Sequence, residues 1–155
     1  MKRLWILLFL VTMPLLGGSL KGEAKSIPLD SDTFPDDFFM TYVEYNFDTN
    51  EDGKLSDKER KAVTEIDVGS ASEYRLELEY PAPYTLEGIE YFPNLKKLSC
   101  YESPLRYLDV SKNKNLVELN CMRNNLKEID LKNNKKLEIL YCSSNNLKKL
   151  DVSKK

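Results

Sequence analysis

No histidine occurs anywhere in the 155 residues. Its absence removes the side chain that most often acts as a general base near neutral pH, and the commonest zinc ligand. The six glycines form no phosphate-cradling loop. No nucleophile–base signature is present either, so a hydrolase built on Asp or Glu pairs is left as the weaker alternative to a binding protein. Charge of one sign is also lacking. A formal net charge of −2, with 31% charged residues, excludes a gross attraction to nucleic acid.

Long apolar runs are confined to the start. Lys2 and Arg3 precede the run from Leu4 to Leu16, which is short for a membrane span and suits a secretory signal. Gly22-Glu23-Ala24 places small residues for cleavage after Ala24; Gly17-Gly18-Ser19 is a second candidate, and an uncleaved anchor is the alternative. Residues 1–24 are therefore expected to be a signal peptide and the protein to be exported. No membrane span is expected once the signal is removed.

Cysteine is sparse but ordered. Cys100, Cys121 and Cys142 recur every 21 residues, each within the frame Leu-x-x-Leu-x-Cys, starting at Leu95, Leu116 and Leu137. Apolar triplets follow at matching positions: Leu105, Leu108 and Val110; Leu126, Ile129 and Leu131; Leu147, Leu150 and Val152. Asp109, Asp130 and Asp151 share one further position. This is the pattern of a leucine-rich repeat solenoid, whose coils bury their apolar faces only by stacking. The fold class expected is α/β, a short solenoid with parallel strands on a concave face, with regular coils over 95–155. Cysteines repeating at one inward position should stack as free, buried thiols, because side chains on parallel neighbours point the same way. Asn124 and Asn145 are placed to bridge the turning backbones of adjacent coils, while Ser103 stands at that position in the first.

Ahead of the coils, 25–33 reads as a linker and 34–68 as a helix-loop-helix cap. Phe38, Phe39, Tyr42, Val43 and Phe47 have helical spacing over 34–47, with Pro35 in the first turn and Asp32 or Thr33 as cap. Ser56-Asp57-Lys58-Glu59 is a capping box that opens a second helix carrying Ala62, Val63 and Ile66. Residues 69–94 read as an irregular first repeat with a strand over 74–80, and Ile66-Asp67-Val68 resembles a half-repeat.

The segment from Asp48 to Glu59 fits a twelve-residue EF-hand loop. Side-chain oxygens come from Asp48, Asn50 and Asp52, a backbone carbonyl from Lys54, an oxygen from Ser56 and two from Glu59. Gly53 takes the sharp turn and Leu55 the apolar plug. Hard oxygen donors in this number suit Ca2+. The alternative is a solvated acidic turn; Thr49, Glu51 and Asp57 should not be ligands.

A single EF-hand-like loop, then Leu-Glu-Gly-Ile-Glu-Tyr-Phe-Pro-Asn-Leu over 86–95, then cysteine-bearing 21-residue coils resembles bacterial secreted leucine-rich repeat proteins of the internalin-like kind. The resemblance implies a surface or extracellular location and protein-binding roles. A partner would meet the strand face, where Tyr101, Met122, Ile139 and Tyr141 form an apolar centre rimmed by Lys97, Glu118 and Arg123; the alternative is that these are ordinary solvated strand residues. Leu137, Leu140, Leu147 and Leu150 lie on the last coil, for which the sequence offers no cap. That predicts either end-to-end self-association or a product shortened from a longer gene.

Overall fold

The computed structural model describes residues 26–69 and 82–152. The expected signal over 1–24 and the expected strand over 74–80 lie outside these residues.

Two sheets organise the chain. Strand β1 (Ile27–Pro28) pairs antiparallel with β2 (Lys54–Leu55). Strands β3 (Glu65–Asp67), β4 (Lys97–Ser99), β5 (Glu118–Asn120) and β6 (Ile139–Tyr141) form a parallel sheet in sequence order. Each 21-residue coil supplies one strand, so Leu98 sits beside Leu119 and Leu119 beside Leu140. Ile66 is aligned with Leu98, which makes β3 the first strand of this sheet.

The inward residues are the ones the repeat frame marks. Leu95, Leu98, Cys100, Leu105, Val110, Leu116, Leu119, Cys121 and Leu126 are at most 1% exposed. Fully burying a leucine contributes about 1.5–3 kcal/mol, so the stacked rows dominate stability. All three cysteines are free; Cys100 and Cys121 are buried and Cys142 is half-buried. Burial pushes the Cys100 thiol well up and the Cys121 thiol up to about 12, so both stay protonated at neutral pH.

Asparagines join the coils at the turns. Asn124 Nδ2 donates to the carbonyls of Cys100 (2.8 Å) and Cys121 (3.1 Å), and its Oδ1 accepts from Leu105 N–H (3.1 Å). Asn145 repeats this with Cys121, Cys142 and Leu126. Ser103, the shorter residue at the corresponding position, is buried with its hydroxyl unpartnered among the described residues. Asp109 and Asp130 close another turn by accepting from the N–H two residues on, of Ser111 (2.8 Å) and Lys132 (3.0 Å).

The helices differ from the sequence expectation at their ends. Helix α1 is Asp37–Phe47, capped by Asp36 rather than by Asp32 or Thr33, so Phe34 and Pro35 precede it. Asp36 wins because its carboxylate serves two donors, Phe39 N–H (2.9 Å) and Tyr84 N–H (2.8 Å). Helix α2 is Asp57–Ala62, with the expected capping box at Ser56 and Glu59. Val63 and Ile66 are not helical; Ile66 belongs to β3, where burial against Leu98 outweighs one more turn of a short helix.

These helices pack on the start of the repeats. Phe47 meets Phe92 ring to ring at 5.5 Å and Phe34 meets Tyr91 at 5.8 Å. Asn94 Nδ2 donates to Lys61 O (2.8 Å), and Asp67 N–H donates to Tyr42 Oη (3.3 Å). Gly88 has φ +102°, and a Cβ there would fall 2.3 Å from the Phe34 ring. Only glycine fits that approach.

Candidate functional site

Between α1 and α2 the acidic loop is tied down by its own carboxylates. Asp48 is buried; its Oδ1 accepts from Asp52 N–H (3.2 Å) and its Oδ2 from Gly53 N–H (2.8 Å). Asp52 Oδ1 accepts from Lys54 N–H (3.0 Å), and Asn50 Nδ2 donates to Asp52 Oδ2 (3.1 Å). Glu51 and Gly53 both have positive φ, +56° and +73°, which folds the loop back over Asp48. Fully buried Leu55 anchors the far side through β2. The partner strand, Ile27–Pro28, falls in the segment whose sequence reads as linker.

Both Glu59 carboxylate oxygens are held by hydrogen bonds, those of the expected capping box among them. Its Oε1 accepts from Thr49 N–H (2.8 Å) and Thr49 Oγ1 (2.7 Å). Its Oε2 accepts from Ser56 N–H (2.9 Å) and Ser56 Oγ (2.8 Å). The Thr49 hydroxyl, followed by the Ser56 bonds, lowers the Glu59 carboxyl to about 2 against the opposing effect of burial. Among the described residues no three His, Cys, Asp or Glu side chains converge closely enough to hold a metal ion. The oxygens of Asp48, Asn50, Asp52, Lys54 and Ser56 are of the type a hard cation takes, so the donor set fits Ca2+ in kind. Glu59 is joined to Ser56 of this set by the capping box. A cavity of about 640 Å³ opens beside the loop, lined by Asn50, Ser56, Glu59 and Thr64 and by Glu65 of the sheet's first strand.

The outer face of the parallel sheet is built from register. Glu65, Lys97, Glu118 and Ile139 form one row, and Asp67, Ser99, Asn120 and Tyr141 the next. Lys97 and Glu118 pair across β4 and β5 at 3.7 Å. Beyond the strands, Arg123 reaches back one coil to Glu102 (3.5 Å) and lies over the Tyr101 ring, 5.6 Å from its centroid. Glu102, Arg123 and Ser144 share one turn position and take φ near +55° in each coil. Met122 and Tyr101 are half-buried, whereas Ile139 and Tyr141 are 40% and 47% exposed. The seven residues picked from the sequence thus lie on three successive coils, and the structure adds Glu102 as the tie between Arg123 and Tyr101. On the last coil Leu137 is buried, Leu140 and Leu147 are half-buried and Leu150 is exposed.

Sequence reading missed a second ladder. Asn113 Nδ2 donates to Ile89 O (2.9 Å) and Phe92 O (3.1 Å), and Asn134 Nδ2 to Val110 O (2.9 Å) and Asn113 O (3.0 Å). The signal was available, since both asparagines stand three residues before a frame leucine, 21 apart.

Stacked parallel strands, one per 21-residue coil, with a cysteine column and asparagine-bridged turns, define a leucine-rich repeat fold of the internalin-like kind. No family model matches the chain, and no curated protein matches it. Solved structures do. The functional domain of InlJ from Listeria monocytogenes, which includes a cysteine ladder, is 31% identical, with a TM-score of 0.70 over 86% of this chain and 27% of that one. The internalin inlF of the same organism is 21% identical, with a TM-score of 0.64 over 83% of this chain and 35% of that one. Internalin C2 (inlC2), also from that organism, is 16% identical with a TM-score of 0.51, over 81% and 62%. The chain therefore spans less than two thirds of each. Among the described residues no helix is long and apolar enough to cross a membrane.

Proposed function

We propose that the protein is an exported, non-enzymatic interaction module that offers the outer face of its parallel strands to a protein partner. A calcium ion at the loop holds its helices in place. The observation carrying this reading is the cluster of Tyr101, Glu102 and Arg123 beside exposed Ile139 and Tyr141. Aromatic and arginine anchors within a polar rim are what protein interfaces draw their energy from. Likeness to internalins supports the same reading, because leucine-rich repeats present extended surfaces.

Bound calcium would supply the positive charge that offsets repulsion among Asp48, Asp52 and Glu59. Asp48, Asn50, Asp52 and Ser56 would offer side-chain oxygens and Lys54 its carbonyl. Glu59 would join them by releasing Thr49 and Ser56, giving up four hydrogen bonds. That exchange weakens binding and suits the range of about 10⁻⁴–10⁻³ M found for extracellular modules.

A hydrolase finds no comparable support. A general acid needs a raised carboxyl pKa, yet Asp57 is lowered by its Lys61 hydrogen bond, Asp109 by the Ser111 N–H and Asp130 by Lys132.

The test is capture of a partner from envelope or host-cell extract, with Tyr141→Ala and Arg123→Ala compared with the unaltered protein. Loss of a discrete partner in both variants, with melting temperatures unchanged, is the expected result. A partner retained by both variants would remove the strand face from the account.

A further inference from the structure

The repeat period stacks a second kind of column that the strand face does not use. Arg106, Lys127 and Lys148 each follow the leucine that opens the stretch beyond the asparagine turn, one per coil, and all three are exposed. Coil-to-coil backbone bonding continues at this level. Asn125 N–H donates to Leu105 O (2.8 Å), Asn146 N–H to Leu126 O (2.9 Å) and Lys148 N–H to Lys127 O (3.4 Å). The three cations are therefore carried on hydrogen-bonded backbone, at a spacing close to the roughly 4.8 Å between strands.

Several cations elsewhere are paired. Lys97 meets Glu118 and Arg123 meets Glu102 across adjacent coils, while Lys132 meets Asp130 within one. Among the described residues the side chains of Arg106, Lys127 and Lys148 make no ion pair or hydrogen bond. Like charges in register on neighbouring coils repel. The row on one side holds Pro104, Asn125 and Asn146, which carry no charge; that on the other holds Tyr107, Glu128 and Lys149, where the acid and the base offset each other. The result is an in-register cationic stripe, unpaired among the described residues, on a chain whose net charge is negative.

We propose that this stripe binds a linear phosphate-bearing polymer, lying along the solenoid axis with anionic groups against successive coils. A single phosphate gains little from one exposed, solvent-screened side chain. A polymer engages all three at once, and the second and third contacts are intramolecular. The stripe is separate from the strand face, so the inference stands whether or not a protein binds there.

The experiment titrates inorganic polyphosphate against the full protein at several salt concentrations. Orthophosphate at equal phosphorus and anionic-lipid vesicles are run beside it. Three contacts predict a log–log salt slope of about −2 to −3, and orthophosphate should bind at least about tenfold more weakly. The triple variant Arg106→Gln, Lys127→Gln and Lys148→Gln should lose at least about tenfold in affinity and flatten the slope. A control with the same charge change, Lys96→Gln, Lys112→Gln and Lys114→Gln, should lose less than about twofold. Equal losses in the two variants would overturn the stripe in favour of net charge alone. So would absence of binding at low salt, or binding to vesicles without binding to the polymer.

Discussion

Glu59 shows how one side chain can serve two demands. Its carboxylate completes the capping box of α2 and fastens Thr49, which keeps it ionised down to about pH 2. The folded value lies below the ordinary one of 4.5, so its contribution is full above about pH 4.5 and is lost as pH falls toward 2. Melts in chelator from pH 6 to 2 should show stability falling across that window, and Glu59→Gln should flatten the fall. An identical pH profile in the variant would mean that the capping box carries no such linkage. The cysteines separate by burial in the same way. Thiolates are the reactive species, so the half-buried Cys142 should be alkylated in the native protein before Cys100 and Cys121. Mass spectrometry after brief iodoacetamide treatment should find a single adduct, rising to three in denaturant. Equal labelling of all three would contradict the inward column.

Among elements, the turns decide whether coils stay in register. Removing the Asn124 amide would orphan the carbonyls of Cys100 and Cys121 and the N–H of Leu105. At about 1–3 kcal/mol for an unsatisfied buried group, Asn124→Ala should cost at least about 2 kcal/mol in urea unfolding. Asn145→Ala makes the same deletion at a more exposed site and should cost less; the reverse order would contradict the ladder. The strands were legible because each inward leucine obeys one 21-residue rule that tertiary packing reinforces. Helix ends were not, because Asp32, Thr33, Asp36 and Asp37 all qualify as caps, and only the distant Tyr84 N–H selects Asp36. The pair Ile27–Pro28 gave no sequence signal, since two residues have no period and proline argues against a strand. The spacing of Ile66 from Ala62 reads as helix, while its Ile-Asp-Val context reads as a half-repeat; neither signals a strand by itself.

For the whole molecule, what matters is how the loop, the helices and the solenoid hold together. Phe47 links the end of α1 to Phe92, Tyr42 meets Asp67 of β3, and the cavity beside the loop is lined in part by Glu65 of β3. Ordering the loop should therefore stabilise the helices and the first coils together. The candidate loop is legible from residue types, because spacing alone sets out six oxygen-bearing positions for the proposed Ca2+ ion. The competing claim of the capping box on Glu59 was visible in the same four residues, yet only coordinates show which set of partners it holds. The measurement that tests this account most directly is a thermal melt of the protein in millimolar calcium and in chelator, with Asp48→Ala beside it. Saturation at a hundred times the dissociation constant should add about 2.7 kcal/mol, in one cooperative transition, and Asp48→Ala should abolish the gain. An unchanged melt at millimolar calcium, or a gain that survives Asp48→Ala, would contradict it.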